Sequence, residues 1–426
     1  MKRSRDSTRD RRGRRELLSS AGAALVAGLA GCAGTLDGDE TPDSTNEPGD
    51  AGDRLRPDLT DAAPYRMHQY GPDHAGVADG AGPTAAVDVA WTFREGADDT
   101  YYEIGTPAIV DGTVYVAEGR SDDEAEAATG VYALDGATGE VEWEQTFPGT
   151  NALGSTAVVD GAVVQQLGGM VVVLEADTGA ERWRERRDLS NPVTVADDTV
   201  YAIETAYADP PTLVALSLAD GGERWTEPLA DDGRFWPTAP AVVDGTVYQG
   251  GSELVALSAT DGERRWTRDL DAPVVGSPTV ADGDLYAPLG DGTVRAYDLD
   301  GTPRWTQPVE SAASVVGTPF VSSPAVAEGT CYVVNAWQVS ALDVQDGSIR
   351  WTTEGDADGT PLVADGVVYI GGLSAAAAYD GASGDRLWHH DSAASTGAGR
   401  VTPVVGDAVL YPSGGLHALV EQESSS

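Results

Sequence analysis

Eight tryptophans mark the chain at near-regular intervals: Trp91, Trp143, Trp183, Trp225, Trp266, Trp305, Trp351 and Trp388. The steps between them run from 37 to 52 residues, and every Trp but the first closes a similar phrase. The phrase is clearest in Ala133-Leu134-Asp135-Gly136-Ala137-Thr138-Gly139-Glu140, followed by Trp143. It recurs at Ala256-Leu257 before Trp266, at Ala341-Leu342-Asp343 before Trp351 and at Ala378-Tyr379-Asp380 before Trp388. One copy is degenerate, with Val173 and Glu175 in the Ala and Asp places; another, from Ala296, reaches Trp305 one residue sooner. A fixed period of this length is the mark of a repeat architecture, and it limits the fold before any secondary structure is assigned.

Upstream of most phrases stands a second signal. Asp111-Gly112, Asp160-Gly161, Asp244-Gly245, Asp282-Gly283, Glu328-Gly329 and Asp365-Gly366 each separate two short β-branched runs. A two-residue hairpin needs positive φ at both central residues, which Asp-Gly supplies. Proline often opens the first run (Pro107, Pro240, Pro278, Pro324, Pro361, Pro403), where its missing N–H costs the ladder nothing. Each unit therefore reads as four antiparallel strands in about 40 residues, the size of a propeller blade. A β-sandwich is the runner-up, but it does not repeat one phrase around the chain. The last unit, from Val404 to Val420, stops before any Trp, while Val87-Asp88-Val89-Ala90-Trp91 is a strand with no preceding three. Joined, they make one blade from both ends of the chain and leave no open ring. The expectation is an all-β, eight-bladed propeller over residues 64–421, closed by the strand Val87–Trp91, with a short tail at 422–426.

The phrase has a physical purpose. Tryptophan buries a large flat area between blades, Ala leaves room for the ring, Gly makes the turn and Asp can bind turn amides. On these residues the chain resembles the tryptophan-docking repeat of pyrroloquinoline-quinone-type (PQQ-like) propellers, a family that includes quinoprotein dehydrogenases and the BamB lipoprotein. The segment Tyr65-Arg66-Met67-His68-Gln69-Tyr70-Gly71-Pro72-Asp73-His74-Ala75-Gly76 resembles the lead-in before the first strand of such proteins. The resemblance implies a fold more than an activity. Its enzymes imply a quinone in the axis, Ca²⁺ held by Glu, Asn and Asp, a catalytic Asp, a Trp floor and, in many, two adjacent cysteines. Here the body has one cysteine, Cys331, in the strand Thr330-Cys331-Tyr332-Val333-Val334, where it reads as a small core residue. Only Asn151, Asn191 and Asn335 could supply the Asn ligand. The expectation is no cofactor, with PQQ and Ca²⁺ belonging to the alternative of a quinoprotein oxidoreductase or degenerate quinone binder.

Charge excludes further functions. The chain carries a formal net charge of −42, and eight of its basic residues lie within the first fifteen. Beyond residue 32 there are 19 Arg, no Lys and 66 acidic residues. Such a body does not release counterions from phosphate backbones, so nucleic acid is excluded as a partner. Without lysine it forms no Schiff base and carries no P-loop. The composition resembles that of salt-loving archaea, whose proteins work where self-repulsion is screened. No Gly-x-Ser-x-Gly, His-Glu-x-x-His or Cys-x-x-Cys occurs, and no Asn begins a glycosylation sequon.

The N-terminus reads as an address. Arg14 and Arg15 sit before the apolar stretch Leu17 to Leu29, which is too short to cross a bilayer as a helix but fits a signal peptide. Arg14-Arg15-Glu16-Leu17-Leu18 resembles a twin-arginine export signal, and Leu29-Ala30-Gly31-Cys32 resembles a lipobox with Cys32 as the lipidated residue. Residues 33–63 read as an acidic disordered spacer. These features predict a membrane-tethered extracytoplasmic lipoprotein whose monomeric propeller is a non-catalytic binding or scaffold module for a protein or surface ligand.

Candidate binding residues are few. Arg234, Phe235, Trp236 and Trp337 combine Arg with the two tryptophans outside the series, the residue types of binding hot spots; Phe235 and Trp236 read equally as fillers between blades. Long loops fall at Gly119–Gly130 and Tyr207–Pro211. His389-His390 is a metal candidate by residue type, but adjacent strand residues point apart. His68 and His74 read as structural parts of the lead-in. Asp356-Ala357-Asp358-Gly359 lacks the later acid of a Ca²⁺ loop and reads as an acidic turn.

Overall fold

The computed structural model describes residues 56–60, 63–94, 101–121, 128–150, 154–187, 189, 192–204, 210–230, 238–309, 321–355, 357–372, 375–391 and 403–422. Every described element is a strand, and the strands form eight sheets of antiparallel hairpins: an eight-bladed propeller. Blade 4 is representative, running Ala241–Val243, Thr246–Gln249, Glu253–Ser258 and Arg264–Asp269 from the axis outward. Blade 1 departs from it, because Tyr101–Ile104 extends the inner edge beyond Ala108–Val110. The inner strands of neighbouring blades touch one another around the axis.

The hairpins between first and second strands have the expected backbone. At Asp111-Gly112, φ is +51° and +82°, and the same sign pair recurs at the five other acid–Gly turns. Blade 3 makes its turn at Asp197-Asp198, with Asp197 at φ +43°, a turn the Asp-Gly signal does not mark.

The repeated phrase forms a three-strand row. Tyr115, Ala133 and Trp143 are successive cross-strand partners, as are Tyr248, Ala256 and Trp266 in blade 4. The small Ala lets the two rings meet above it, and in six blades the Tyr and Trp centroids lie 5.9–6.2 Å apart. The degenerate blade 2 replaces Tyr and Ala with Val164 and Val173 but keeps the register to Trp183.

Each Trp then docks on the next blade. The indole N–H of Trp143 donates to the Ala176 carbonyl at 2.8 Å, that of Trp225 to Ala259 at 2.9 Å and that of Trp351 to Gly381 at 2.9 Å. The phrase glycine lies against the ring. A Cβ on Gly347, at φ +75°, would stand 2.6 Å from Trp305 Cε3, and one on Gly139 would stand 2.7 Å from that of Trp91. Glycine is thus required twice, for its left-handed turn and for the space it leaves. The phrase Asp caps the turn: Asp135 Oδ1 accepts from the amides of Ala137 (3.0 Å) and Thr138 (2.8 Å).

The ends close the ring. Val87–Phe93 pairs antiparallel with Leu416–Glu421 as the outer strand of blade 8, two residues longer than the sequence indicates. Because blade 8 is assembled from both termini, it has no phrase turn for Trp388 to dock on. The Pro83 carbonyl takes that place, accepting from Trp388 Nε1 at 2.7 Å. The Glu421 carboxylate fastens the join by accepting from the amides of Thr84 (2.9 Å) and Ala85 (3.2 Å). Arg94 pins the blade 8–blade 1 seam, donating to the buried Glu118 carboxylate at 3.1 Å and lying over the rings of Phe93 and Tyr132.

Candidate functional site

The axis is where a propeller can hold a ligand, and here the chain fills it. In six blades the middle amide of the inner strand points inward and needs an acceptor once buried. The carbonyls of residues 65–76 serve six blades in chain order, skipping only blades 3 and 8. The Tyr65 carbonyl accepts from Ile109 (2.7 Å), Arg66 from Val158 (2.7 Å), Pro72 from Val242 (2.6 Å) and Asp73 from Val280 (2.9 Å). Ala75 accepts from Val326 and Gly76 from Val363, both at 2.8 Å. At blade 8 the Tyr70 hydroxyl imitates a strand partner, donating to the Val404 carbonyl (2.5 Å) and accepting from its amide (3.2 Å). At blade 3 the contact is the His74 Nε2 to Thr194 hydroxyl pair at 3.1 Å. The segment then leaves as a two-residue parallel strand, Val77–Ala78, beside Leu362–Ala364 of blade 7. All eight inner strands are touched.

This knob is tight and incompletely satisfied. His68 and His74 stack edge to face, 5.3 Å between centroids, and both are buried. Burial alone pushes His68 down to about 4, and burial with the neighbouring His68 ring holds His74 well below the ordinary imidazole range. Both are therefore neutral near pH 7. Neither ring nitrogen of His68 has a hydrogen-bond partner, nor has Gln69 Oε1, although Gln69 Nε2 donates to the Pro324 carbonyl at 2.6 Å. Gln69, Tyr70 and His74 hold φ of +53°, +73° and +58°. Each such non-glycine residue costs about 1–2 kcal/mol.

The axial segment is entered and left on the face of the first-to-second-strand turns. Leu59 is buried against the blade 1 turns at Gly136, and the Asp58 amide donates to Asp407 of blade 8 at 3.0 Å. Packed structure thus starts inside the stretch 33–63 read from sequence as spacer. On this face two concavities of about 640 and 550 Å³ flank the segment, sharing Asp282.

The opposite face, the loop face, carries the turns between second and third strands. Trp337 stands there at the two-residue turn between the second and third strands of blade 6. It is 42% exposed, with φ +66° beside Ala336 at +45°, so two residues with side chains hold a turn that glycine takes in other blades. Arg234, Phe235 and Trp236 lie outside the described residues, as do Asn151, Asn191, Asp356, Arg14, Arg15 and Cys32. Asn335 is buried and uses its amide nitrogen on the Val309 carbonyl at 2.8 Å. Cys331 is buried in the second strand of blade 6, and burial raises its thiol far above the ordinary range. His389 is near Asp391 (2.9 Å), while His390 faces the Tyr411 ring, so the strand does divide the pair. Among the described residues no group of three or more His, Cys, Asp or Glu side chains is placed to hold a metal ion.

The sequence reading missed the axial role of residues 65–76. Their contacts are made chiefly by main-chain carbonyls and so leave no side-chain pattern. The usable signal was a run of large residues (Tyr65, Met67, Tyr70) in a segment with no strand or helix period, followed by Pro72 and Gly76.

The fold and its docking rows define an eight-bladed propeller of the tryptophan-docking type. The chain belongs to the family described as outer membrane protein assembly factor BamB, whose model matches residues 88–236, 212–323 and 291–425. Among solved structures it is similar to BamB from Moraxella catarrhalis, with 17% identity, a TM-score of 0.62 and coverage of 79% of this chain and 100% of that one. A europium-containing methanol dehydrogenase matches at 14% identity and TM-score 0.63, over 83% of this chain and 90% of the other. At these identities the likeness speaks for the fold alone. A curated relative, the serine/threonine-protein kinase AfsK of Streptomyces coelicolor, is 28% identical over 330 residues, 66% of this chain. The chain spans about a third of that protein's length, 34%.

Proposed function

We propose that the protein is a non-catalytic binding or scaffold module, exported through the Arg14-Arg15 signal and tethered outside the cell by lipid on Cys32. Its propeller, working as a monomer, presents the loop face with Trp337 to a protein or surface ligand. The observation that carries this reading is the filled axis. What speaks against the quinone of the family's enzymes is that residues 65–76 take up the axial space at the depth of the inner strands. Cys331 has no cysteine neighbour. The kinase relative's chemistry does not carry over, because no lysine follows Lys2.

Crosslinked capture from native membranes tests the reading. Wild-type protein should retain a defined partner that Trp337→Ser loses while keeping its fold, and Cys32→Ser should move the protein into the medium. Equal capture by Trp337→Ser would refute the loop-face site, and membrane retention of Cys32→Ser would refute the anchor.

A further inference from the structure

We propose that the propeller axis is a peptide-binding site which the chain keeps occupied with its own residues 65–78. The site is the ring of inward amides on Ile109, Val158, Val242, Val280, Val326 and Val363, completed by both main-chain groups of Val404. What it takes is an extended or coiled segment presenting main-chain carbonyls, with a phenol where Tyr70 reaches blade 8. Six of the ring's contacts end on carbonyl oxygens, which any residue supplies, and two are made by side chains, Tyr70 at Val404 and His74 at Thr194. A partner segment of the same chemistry can therefore replace the resident one, as strands are exchanged when a chain adds to a sheet edge.

The resident segment is built to be displaceable. It contains three non-glycine residues in the left-handed region within six positions, two of them adjacent. It buries His68 with both ring nitrogens unpartnered and leaves Gln69 Oε1 unfilled. Gly76 passes so close to blade 6 that a Cβ would stand 2.8 Å from that of Ala325. Strain and unfilled polar groups oppose the eight inner-strand contacts, and an element so balanced opens below the free energy of global unfolding. In the blades the left-handed non-glycine residues, Arg94 apart, sit at hairpin turns, and the Trp rows satisfy each indole N–H. The axial site is separate from the loop face proposed above, so either can fail alone.

Native-state hydrogen exchange on the full chain is the first test. The six ring amides should exchange together, at least about tenfold faster than the paired middle strands of the same blades. Exchange of the ring only with those strands would overturn the proposal. The second test uses a fluorescein-labelled peptide of residues 64–79 and the variant Gly76→Val, which clashes with Ala325 and expels the resident segment. The folded variant should bind the peptide saturably at one per chain, with competition by unlabelled peptide. A folded variant that does not bind it overturns the site; if Gly76→Val does not fold, the exchange result on wild-type protein decides.

Discussion

Replacing Gly347 with alanine isolates the docking of one blade on the next. The new Cβ would stand 2.6 Å from Trp305 Cε3 and 2.7 Å from Cδ2, distances that real Cβ atoms do not show. The ring cannot retreat freely, because its N–H is held by the Val344 carbonyl at 2.8 Å. Two costs add. A left-handed alanine costs about 1–2 kcal/mol, and forcing a methyl into a packed seam costs about 1–3 kcal/mol. The total is roughly 2–5 kcal/mol. Gly366→Ala supplies the control: its φ is +74°, but nothing lies within 4 Å of the added carbon, so only the first cost applies. Urea unfolding at molar salt, followed by tryptophan emission, reads both as midpoint shifts at constant slope. A cycle with Trp305→Ala completes the assay: without the ring, Gly347→Ala should cost no more than Gly366→Ala. Equal destabilisation by Gly347→Ala and Gly366→Ala in the parent would refute the docking argument.

Four further outcomes are expected. The buried histidines of the axial segment have lowered folded values, so the native state binds fewer protons than the unfolded chain. Their stabilisation is present above the ordinary imidazole value and is lost as pH falls through the interval down to about 4, the His68 value; a urea midpoint series from pH 7.5 to 4.5 on wild type and His68→Leu should show a shallower fall in the variant. Arg94→Leu removes the cation from the buried Glu118 carboxylate at the blade 8–blade 1 seam and should cost about 1–3 kcal/mol in the same unfolding assay, less than a fully buried pair because Arg94 is one-third exposed. Ala336→Gly relieves a residue at φ +45° and should raise stability by about 0.5–1 kcal/mol, read as a higher midpoint. Glu421→Gln weakens the charged cap on Thr84 and Ala85, and limited proteolysis should then cut sooner near the C-terminal strand.

Most of the fold was legible because it repeats. Trp spacing set the blade length, acid–Gly pairs placed six hairpins, and the missing Trp after Val420 foretold a blade shared by both termini. Legibility failed wherever one copy stood in for many. Asp197-Asp198 makes a positive-φ turn without glycine, so blade 3 lacked the cue. The tyrosine that tilts against the Trp in six blades lies two strands away, and only the register reveals that Ala separates them. Pro83 substitutes for a phrase turn some 300 residues distant, a contact that no local pattern encodes. The axial segment was recognised as a lead-in, but its use was hidden, since carbonyls are common to every residue. On the loop face the reading identified Trp337 by type; its left-handed backbone is a property of the turn, not of the residue.

The central claim is that this propeller keeps its axis filled with its own chain and works by binding rather than by quinone chemistry. Titrating pyrroloquinoline quinone with Ca²⁺ into purified protein at molar salt, with absorbance and dye reduction followed together, tests it most directly. The account predicts no stoichiometric absorbance change and no dye reduction. One equivalent of bound quinone with substrate-dependent dye reduction would contradict it.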